Sequence, residues 1–354
     1  MLKINFPSFK ILCLLIFFLN ACLLNENNTK NELIQAIESI NINNNDAKLK
    51  SFSCNKGILA NSKIKNSSFI AFTGCLQLVK LKNSQLKQVS KLDIDSKIID
   101  ISNDSKLLAY FKDDRVSLVD LSSNNNISEK NIDFNVSKLK FLNSSALIIG
   151  STSGKIYIWD FAKPFGNELL ELYNGHNSSI SQIESNISGA SFFTADWNGN
   201  IIAWVKHSKN QSNYYDYNID ISKRYNLFIP NKRILKTENV YSKVKLLKII
   251  QNKFLAAVYE NGYLQVYNIR GANLIYSKNL NLKNIKDLEI YNEKLYILGS
   301  SNLEVYEYKN SLEFNKLFLK RKNKKKLTAD KLILINQKLH YLQNGKLLRI
   351  KDEK

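Results

Sequence analysis

Residues 146–160 read ALIIGSTSGKIYIWD. An apolar run opens this stretch, a turn of small polar residues follows, and polar and apolar side chains then alternate. Alternation with a period of two is typical of a half-buried strand. Small polar residues between two such segments favour the tight turn of a β-hairpin. The stretch therefore predicts two antiparallel strands.

The same pattern recurs along the chain, with a second clear copy at residues 190–204, ASFFTADWNGNIIAW. Weaker copies lie at residues 69–79, 107–120, 254–268, 294–308 and 338–350. Alignment of all copies on one position gives the series Val79, Val119, Trp159, Trp204, Tyr267, Tyr306 and Ile350. Successive members of the series are 40, 40, 45, 63, 39 and 44 residues apart. A period of about 40–45 residues predicts seven repeated units, one of which carries about 20 extra residues.

Two dipeptides in these repeats resemble the signature of the WD40 β-propeller family. Trp159-Asp160 resembles the WD dipeptide of that family, and Gly175-His176 resembles its GH dipeptide. The period extends over residues 47–354, whereas the motifs are clear in two units. The resemblance implies an all-β fold, a seven-bladed WD40-like β-propeller whose stacked blades bury the faces that one blade alone leaves exposed. A divergent propeller of the quinoprotein type remains an alternative.

The resemblance also implies a buried polar tetrad, which in the family consists of the GH His, a Ser or Thr, an Asp and the Trp. In the unit that ends at Trp204, His176, Thr194 and Trp204 match three of these positions. Asn198 stands where Asp is usual. The last unit ends on a third strand, and the resemblance implies that residues 47–53 supply its fourth strand and close the ring.

The first 21 residues predict a secretory signal. Two Lys residues form a basic segment, and residues 11–19, ILCLLIFFL, form an apolar run that is too short to span a bilayer. Residues 19–22, LNAC, resemble the lipobox of bacterial lipoproteins, although the second of them is usually a small residue. The resemblance implies transfer of diacylglycerol to Cys22 and cleavage before it. A plain secreted protein is the alternative.

Residues 22–46 are rich in Asn and predict a flexible tether between the lipid and the propeller, which takes up residues 47–354. The lipobox resemblance places the protein outside the cytoplasm, anchored by lipid to a bacterial membrane. Both the periplasm and the cell surface stay open as its location. The membrane contact is expected through the lipid and not through a transmembrane helix.

The chain is strongly basic, with 51 Lys and Arg against 31 Asp and Glu and a formal net charge of +20. Most of the basic residues are Lys, whereas Arg is the preferred reader of phosphate and guanine. An exported protein also has little access to genomic nucleic acid. We therefore expect no nucleic-acid partner. Two interpretations of the charge stay open: a solvated Lys-rich surface, or local contact with anionic lipid headgroups or polymers.

Two segments and one side chain are candidates for partner binding. Residues 206–243 carry the extra length of the long repeat and include Tyr214, Tyr215 and Tyr217, and Tyr is enriched at interaction hot spots. Trp197 is predicted in an exposed turn. Residues 320–326, KRKNKKK, are predicted as a basic loop, and the basic members are Lys320, Arg321, Lys322, Lys324, Lys325 and Lys326. The alternatives are aromatic side chains that pack on their own blade and a loop that is simply solvated.

Cys54 and Cys75 are the thiols that remain once the signal is removed and Cys22 is acylated. An exported compartment permits disulfides. In the family, the corresponding positions hold the GH His and the turn Asp, which meet, so the resemblance implies a disulfide near the seam of the ring. Its closure would stabilise the fold by roughly 3 kcal/mol in the chain-entropy model. Two unpaired thiols are the alternative.

The sequence contains no GxSxG, HExxH, P-loop or CxxC motif. Its three His residues are spread along the chain, which argues against a His-rich metal centre. We therefore expect no enzyme activity, no cofactor and no metal. The sequence predicts a monomeric, non-catalytic scaffold for protein partners in the cell envelope. Two alternatives stay open: an accessory lipoprotein of outer-membrane protein assembly, and a surface adhesin that binds anionic polymers.

Overall fold

The computed structural model describes the chain between residues 58 and 350, with gaps. The described residues are 58–61, 67–72, 76–82, 85–92, 96, 98–104, 106–162, 169–172, 175–186, 188–206, 228–234, 242–269, 273–282, 284–311, 316–335, 338–343 and 346–350. The signal, the tether and the proposed closing strand at residues 47–53 lie outside them.

The described residues contain 27 β-strands in seven antiparallel sheets, which follow one another in chain order. The first sheet consists of β1 (Ile58–Asn61), β2 (Ser67–Phe72), β3 (Leu76–Lys82) and β4 (Gln85–Leu92). The second consists of β5 (Ile98–Ile101), β6 (Leu107–Lys112), β7 (Arg115–Asp120) and β8 (Asn126–Asn131). The third consists of β9 (Val136–Phe141), β10 (Ala146–Ser151), β11 (Ile156–Asp160) and β12 (Leu169–Leu172). The next two consist of β13 (Ile180–Ser185), β14 (Ser191–Asp196), β15 (Ile201–Lys206), β16 (Phe228–Ile234); and β17 (Val244–Ile250), β18 (Phe254–Tyr259), β19 (Tyr263–Asn268), β20 (Asn273–Asn279). The last two consist of β21 (Asp287–Tyr291), β22 (Lys294–Leu298), β23 (Asn302–Ser311), β24 (Lys316–Lys326); and β25 (Lys331–Ile335), β26 (Lys338–Gln343), β27 (Lys346–Arg349).

Within each sheet, every strand pairs with the next strand of the chain, so the sheets are antiparallel meanders. The stretch at residues 146–160 forms β10 and β11, with Leu147 opposite Trp159. The prediction of an all-β chain built from repeated hairpins is thereby confirmed. The seventh sheet has three strands among the described residues.

The positions aligned from the sequence occupy equivalent places in the sheets. Six of them lie in the third strand of their sheet, and the seventh, Ile350, directly follows β27. In five sheets the pairing of the third and fourth strands shifts at this position, between Leu78 and Val79, Leu118 and Val119, Ala203 and Trp204, Val266 and Tyr267, and Val305 and Tyr306. A β-bulge bends its strand and increases the local twist, so the repeat extends to the backbone geometry.

Neighbouring sheets pack face to face, and the first strand of each sheet contacts the first strand of the next, from β1 through to β25. Each apolar cluster joins two neighbouring sheets. Leu118 of the second sheet and Trp159 of the third lie in one cluster, and Phe193 of the fourth and Leu255 of the fifth lie in another. Burial of such a side chain contributes about 1.5–3 kcal/mol. A single sheet has two faces to cover, so its stability depends on both neighbours.

Five mostly buried charged residues form a belt across consecutive first strands. They occupy equivalent positions on their strands. These are Asp100 on β5, Lys140 on β9, Glu184 on β13, Lys248 on β17 and Glu289 on β21. The Lys140 amine lies 3.2 Å from Asp100, and the Lys248 amine lies 3.3 Å from Glu289. Burial lowers the pKa of both lysines, but the neighbouring carboxylates outweigh it and raise the pKa of each above its usual value. Glu184 helps to raise the pKa of both lysines, so negative and positive residues alternate without interruption along the belt.

One end of the sheets carries the turns between the second and third strands, and we name it the turn end. The first strands begin at this same end, because the N–H groups of three such turns donate to the residue before the first strand of their own sheet. These bonds run from Thr152 to Asn135, from Trp197 to Ser179, and from Glu260 to Lys243, at 2.9, 3.0 and 2.9 Å. The turn end therefore gathers the turns and the starts of the first strands on one surface.

Gly154 makes a close backbone contact at the turn end. The N–H of His176, on the segment that enters the fourth sheet, donates to the Gly154 carbonyl at 3.0 Å. Gly154 has a φ of +91°, and a Cβ there would lie 2.2 Å from the carbonyl oxygen of His176. Gly262 holds the equivalent position of the fifth sheet with a φ of +92°, but a Cβ there would find its nearest neighbour at 3.4 Å. The two glycines thus share a backbone conformation and differ in the space around them.

We expect Gly154→Ala to lower the free energy of unfolding by at least about 3 kcal/mol, because positive φ and a clash with backbone add together. The matched variant Gly262→Ala meets only the conformational cost, about 1 kcal/mol. Urea unfolding followed by Trp fluorescence measures both. Equal losses in the two variants would show that the contact between Gly154 and His176 does not constrain the fold.

Candidate functional site

Four buried side chains form a polar chain in the fourth sheet. The Trp204 Nε1–H donates to Thr194 Oγ1 at 2.8 Å, and Thr194 Oγ1 lies 2.7 Å from His176 Nε2. On the other side of the imidazole, Nδ1 lies 3.2 Å from Asp196 Oδ2. A proton on Nδ1 faces the carboxylate and leaves Nε2 to accept from the Thr194 hydroxyl. The Nδ1 contact lies off the direction of an ideal hydrogen bond, which makes it the weakest link of the chain.

Asp196 supplies the carboxylate of this chain, and not Asn198, the position indicated by the family spacing. Asp196 lies two residues after Thr194 on β14, so both side chains project from the same face, whereas Asn198 belongs to the following turn. That spacing of two is the sequence signal that identifies Asp196. Asn200 donates to Asp196 through its backbone N–H at 2.8 Å and its amide at 2.9 Å.

The charge of Asp196 is stabilised in the folded protein. Burial raises the pKa of this carboxyl, but the nearby His176 imidazole and the hydrogen bonds from Asn200 outweigh burial and lower the pKa below its usual value. A depressed pKa in the folded state means that the carboxylate contributes stability above its ordinary pKa. That contribution is lost as the pH falls through the lowered pKa. The polar chain therefore fastens the GH segment to β14 at neutral pH.

The third sheet carries the other WD-like Trp without a matching chain. Trp159 is fully buried, but Ile149 occupies the position that corresponds to Thr194. The Trp159 Nε1 consequently has no acceptor among the described residues. The described residues thus contain one complete polar chain of the kind implied by the family, and it lies in the fourth sheet.

The fifth and sixth sheets place Tyr at the aligned position and bind its hydroxyl locally. Tyr267 donates to the Gln265 side chain, and its hydroxyl lies 3.0 Å from that of Tyr259. Tyr306 donates to Glu304 at 2.7 Å. Burial raises the pKa of Tyr267 to about 12, so the hydroxyl stays protonated at neutral pH. These hydrogen bonds stay within one sheet. The polar chain at His176, in contrast, also fixes the segment that leads into β13.

Trp197 lies exposed in the turn between β14 and β15, at the turn end. Its relative exposure is 55%, and the other large exposed hydrophobic residue of the described chain is Ile127, at 51%. The Lys243 amine lies 4.1 Å from the centroid of the indole ring. A cation over an exposed aromatic ring contributes about 0.5–1 kcal/mol. The contact orients the ring and leaves most of it in water.

The basic cluster at residues 320–326 forms the second half of β24 and is not the predicted loop. The pairing continues to Lys326 because the partner strand β23 is ten residues long and reaches Asn302. Seven consecutive polar residues resemble a loop when they are considered alone. Their partner strand supplies the hydrogen bonds and carboxylates that make this segment a strand.

The carboxylates of β23 neutralise part of the cluster. The Lys322 amine lies 2.6 Å from Glu307. Arg321 and Lys324 lie 3.7 and 3.6 Å from the fully buried Glu304. Exposed ion pairs contribute about 0–1 kcal/mol each, and charged residues on an edge strand oppose pairing with other molecules. The cluster is therefore a ladder of ion pairs along a sheet edge.

The remaining predicted site residues lie outside the described residues, namely Cys22, Cys54, Cys75, Tyr214, Tyr215 and Tyr217. At the long insertion the structure describes β16, which pairs with β15 as the fourth strand of its sheet. Where the chain is described, no group of three or more His, Cys, Asp or Glu side chains could hold a metal ion. The same residues contain no helix that is long and apolar enough to cross a membrane.

No protein-family model matches the chain, and no curated protein matches its sequence. Solved structures do match its fold. A chain from the mitotic checkpoint complex aligns with a TM-score of 0.61 at 14% identity, over 84% of this chain and 90% of that chain. The WD40 β-propeller domain of Doa1 aligns with a TM-score of 0.58 at 14% identity, over 85% of this chain and 95% of that chain. The protein therefore has a WD40-like fold, and at this identity the likeness concerns the fold alone.

Proposed function

We propose that this protein is a lipoprotein of the bacterial cell envelope whose propeller acts as a non-catalytic scaffold for protein partners. The observation that carries the proposal is the exposed Trp197 at the turn end of a WD40-like fold. Trp is enriched at interaction hot spots. A partner that covers the indole removes apolar surface from water, which stabilises the complex by about 25 cal/mol per Å².

The lipid anchor is proposed from the sequence. The apolar run at residues 11–19 leads directly into LNAC, whose Cys22 would carry the lipid. A flexible tether at residues 22–46 would then reach about 25–30 Å from the bilayer in its average conformation. The propeller would work next to the membrane, in the periplasm or at the cell surface.

The proposed ring has seven blades and is monomeric. Seven sheets are described, and the seventh has three strands among the described residues, so residues 47–53 are proposed as its fourth strand. A disulfide between Cys54 and Cys75 would strengthen the seam between the first and last units. Tyr214 and its neighbours in the insertion are proposed as a second partner contact.

The ion pairs on β24 favour a protein scaffold over an adhesin for anionic polymers. Glu304 and Glu307 already engage Arg321, Lys322 and Lys324. A polymer would have to compete with these internal carboxylates for three of the six cations. An accessory role in outer-membrane protein assembly is a narrower form of the scaffold proposal, with one defined partner.

Lipidation is tested by metabolic labelling with an alkyne analogue of palmitate in the native bacterium. We expect the wild-type protein to carry the label and Cys22→Ser to lose it completely. Cys13→Ser, within the signal itself, is the matched control and should keep the label. A labelled Cys22→Ser variant, or an unlabelled wild type, would contradict the anchor.

The scaffold function is tested by crosslinking in intact membranes, followed by identification of the captured proteins. Wild type should capture a reproducible partner, and Trp197→Ala should reduce the capture at least about fivefold, in line with the loss of a hot-spot side chain. Ile127→Ala removes the other large exposed hydrophobic residue and should leave the capture unchanged. The proposal fails if no specific partner is recovered, or if both variants behave alike.

A further inference from the structure

Three lysines lie at the turn end, where the first strands begin. Lys138 on β9 and Lys331 on β25 occupy equivalent positions in the third and seventh sheets. Lys243 directly precedes β17 in the fifth sheet. The charges of Lys243 and Lys331 both act on Lys138, so both amines lie within electrostatic range of it.

Lys138 and Lys140 lie close together on β9 but have different electrostatic surroundings. They are two residues apart on β9, and their side chains project from the same face. Asp100 and Glu184 help to raise the pKa of Lys140 against the effect of burial. Burial lowers the pKa of Lys138, and Lys243 and Lys331 lower it further, with no carboxylate of the described residues to oppose them. Lys138 therefore lacks the compensation that Lys140 has, and an anion beside it would relieve the repulsion.

The nearby carboxylates are already engaged. Asp287 accepts the backbone N–H of Leu332 at 2.8 Å, and its other oxygen lies 3.9 Å from the Lys331 amine. Asp330 lies 3.3 Å from the amine of Lys286. Asp287 thus offsets part of the charge of Lys331. The cluster of three lysines keeps a net positive charge within the described residues.

Lys243 connects this cluster to the exposed aromatic side chain. Its amine lies 4.1 Å from the ring centroid of Trp197 while its charge also acts on Lys138. Positive charge and a flat apolar surface are therefore adjacent at the turn end. A free inorganic anion would use the charge alone, whereas a peptide with an acidic and an apolar side chain would use both.

We propose that the turn end binds a protein segment in which a carboxylate side chain stands next to an apolar one. The carboxylate binds among Lys138, Lys243 and Lys331, and the apolar side chain packs on Trp197. The inference rests on the proposed scaffold function and specifies the chemistry of the partner. Lysines act as point charges without the planar fork of Arg, so the site selects for negative charge, and Trp197 supplies the preference for a protein segment.

The test uses the full-length protein in detergent and two short fluorescein-labelled peptides. One peptide alternates Glu with Leu, and the other has Gln in place of every Glu. We expect fluorescence anisotropy to detect binding of the Glu peptide only, with an affinity that falls as salt is added. Binding of both peptides alike, or of neither, would overturn the proposal. Equal displacement of the Glu peptide by inorganic phosphate would identify a simple anion site and would overturn it as well.

Variants locate the site. Lys138→Met should weaken binding of the Glu peptide at least about tenfold, the range found for a charge that contacts its partner directly. Lys322→Met removes one Lys from β24 and should change the affinity less than about twofold, as expected for a distant screened charge. Equal weakening by the two variants would show that the net charge of the protein, and not this cluster, attracts the peptide.

The melting temperature, Tm, serves as the control that each variant is still folded. Lys138→Met removes a repelled, mostly buried amine, so its Tm should equal or exceed that of wild type. Lys331→Met is the second variant and should weaken binding in the same way. Crosslinking separates the two proposals: if wild type captures a partner and Lys138→Met captures it equally well, this inference fails and the scaffold stands. If wild type captures none, the scaffold itself fails.

Discussion

The first strands of five consecutive sheets are held in order by charges that no strand could bury alone. Each carboxylate of the belt faces a lysine on the neighbouring strand, as Asp100 faces Lys140 and Glu289 faces Lys248. A buried ion pair adds little net stability, but loss of one partner costs about 3–5 kcal/mol because the other charge stays uncompensated. The belt therefore penalises any slip of register or exchange of neighbours. The apolar faces therefore pack most favourably in the observed register.

The register of the first strands determines which side chains lie at the turn end. The polar chain from Trp204 to His176 fixes the segment that enters the fourth sheet, and the turn that carries Trp197 lies beside it. Lys138 lies two residues before Lys140 on β9, where burial and the charges of Lys243 and Lys331 lower its pKa. Compensated charge thus fixes the register at the middle of β9, and positive charge remains available at its start. One strand serves both the register of the sheets and the proposed contact.

The hairpins and their period could be predicted from the sequence because both depend on residues close together in the chain. The sequence predicts a loop at residues 320–326, whereas Glu304 and Glu307 on the partner strand make it part of β24. Family spacing points to Asn198, although the strand periodicity shared with Thr194 identifies Asp196. The belt could not be predicted, because its members lie in separate repeats and meet only once the sheets are in register.

A double-mutant cycle at Lys248 and Glu289 tests the role of the belt most directly. Urea unfolding of the purified protein, followed by Trp fluorescence, gives the free energy of unfolding of wild type, Lys248→Met, Glu289→Met and the double variant. Each single change should cost about 3 kcal/mol, because it leaves an uncompensated charge. The double variant should lose at least about 1 kcal/mol less than the sum of the single losses. Single losses that add to within about 0.5 kcal/mol would contradict the claim that paired charges hold the first strands in register.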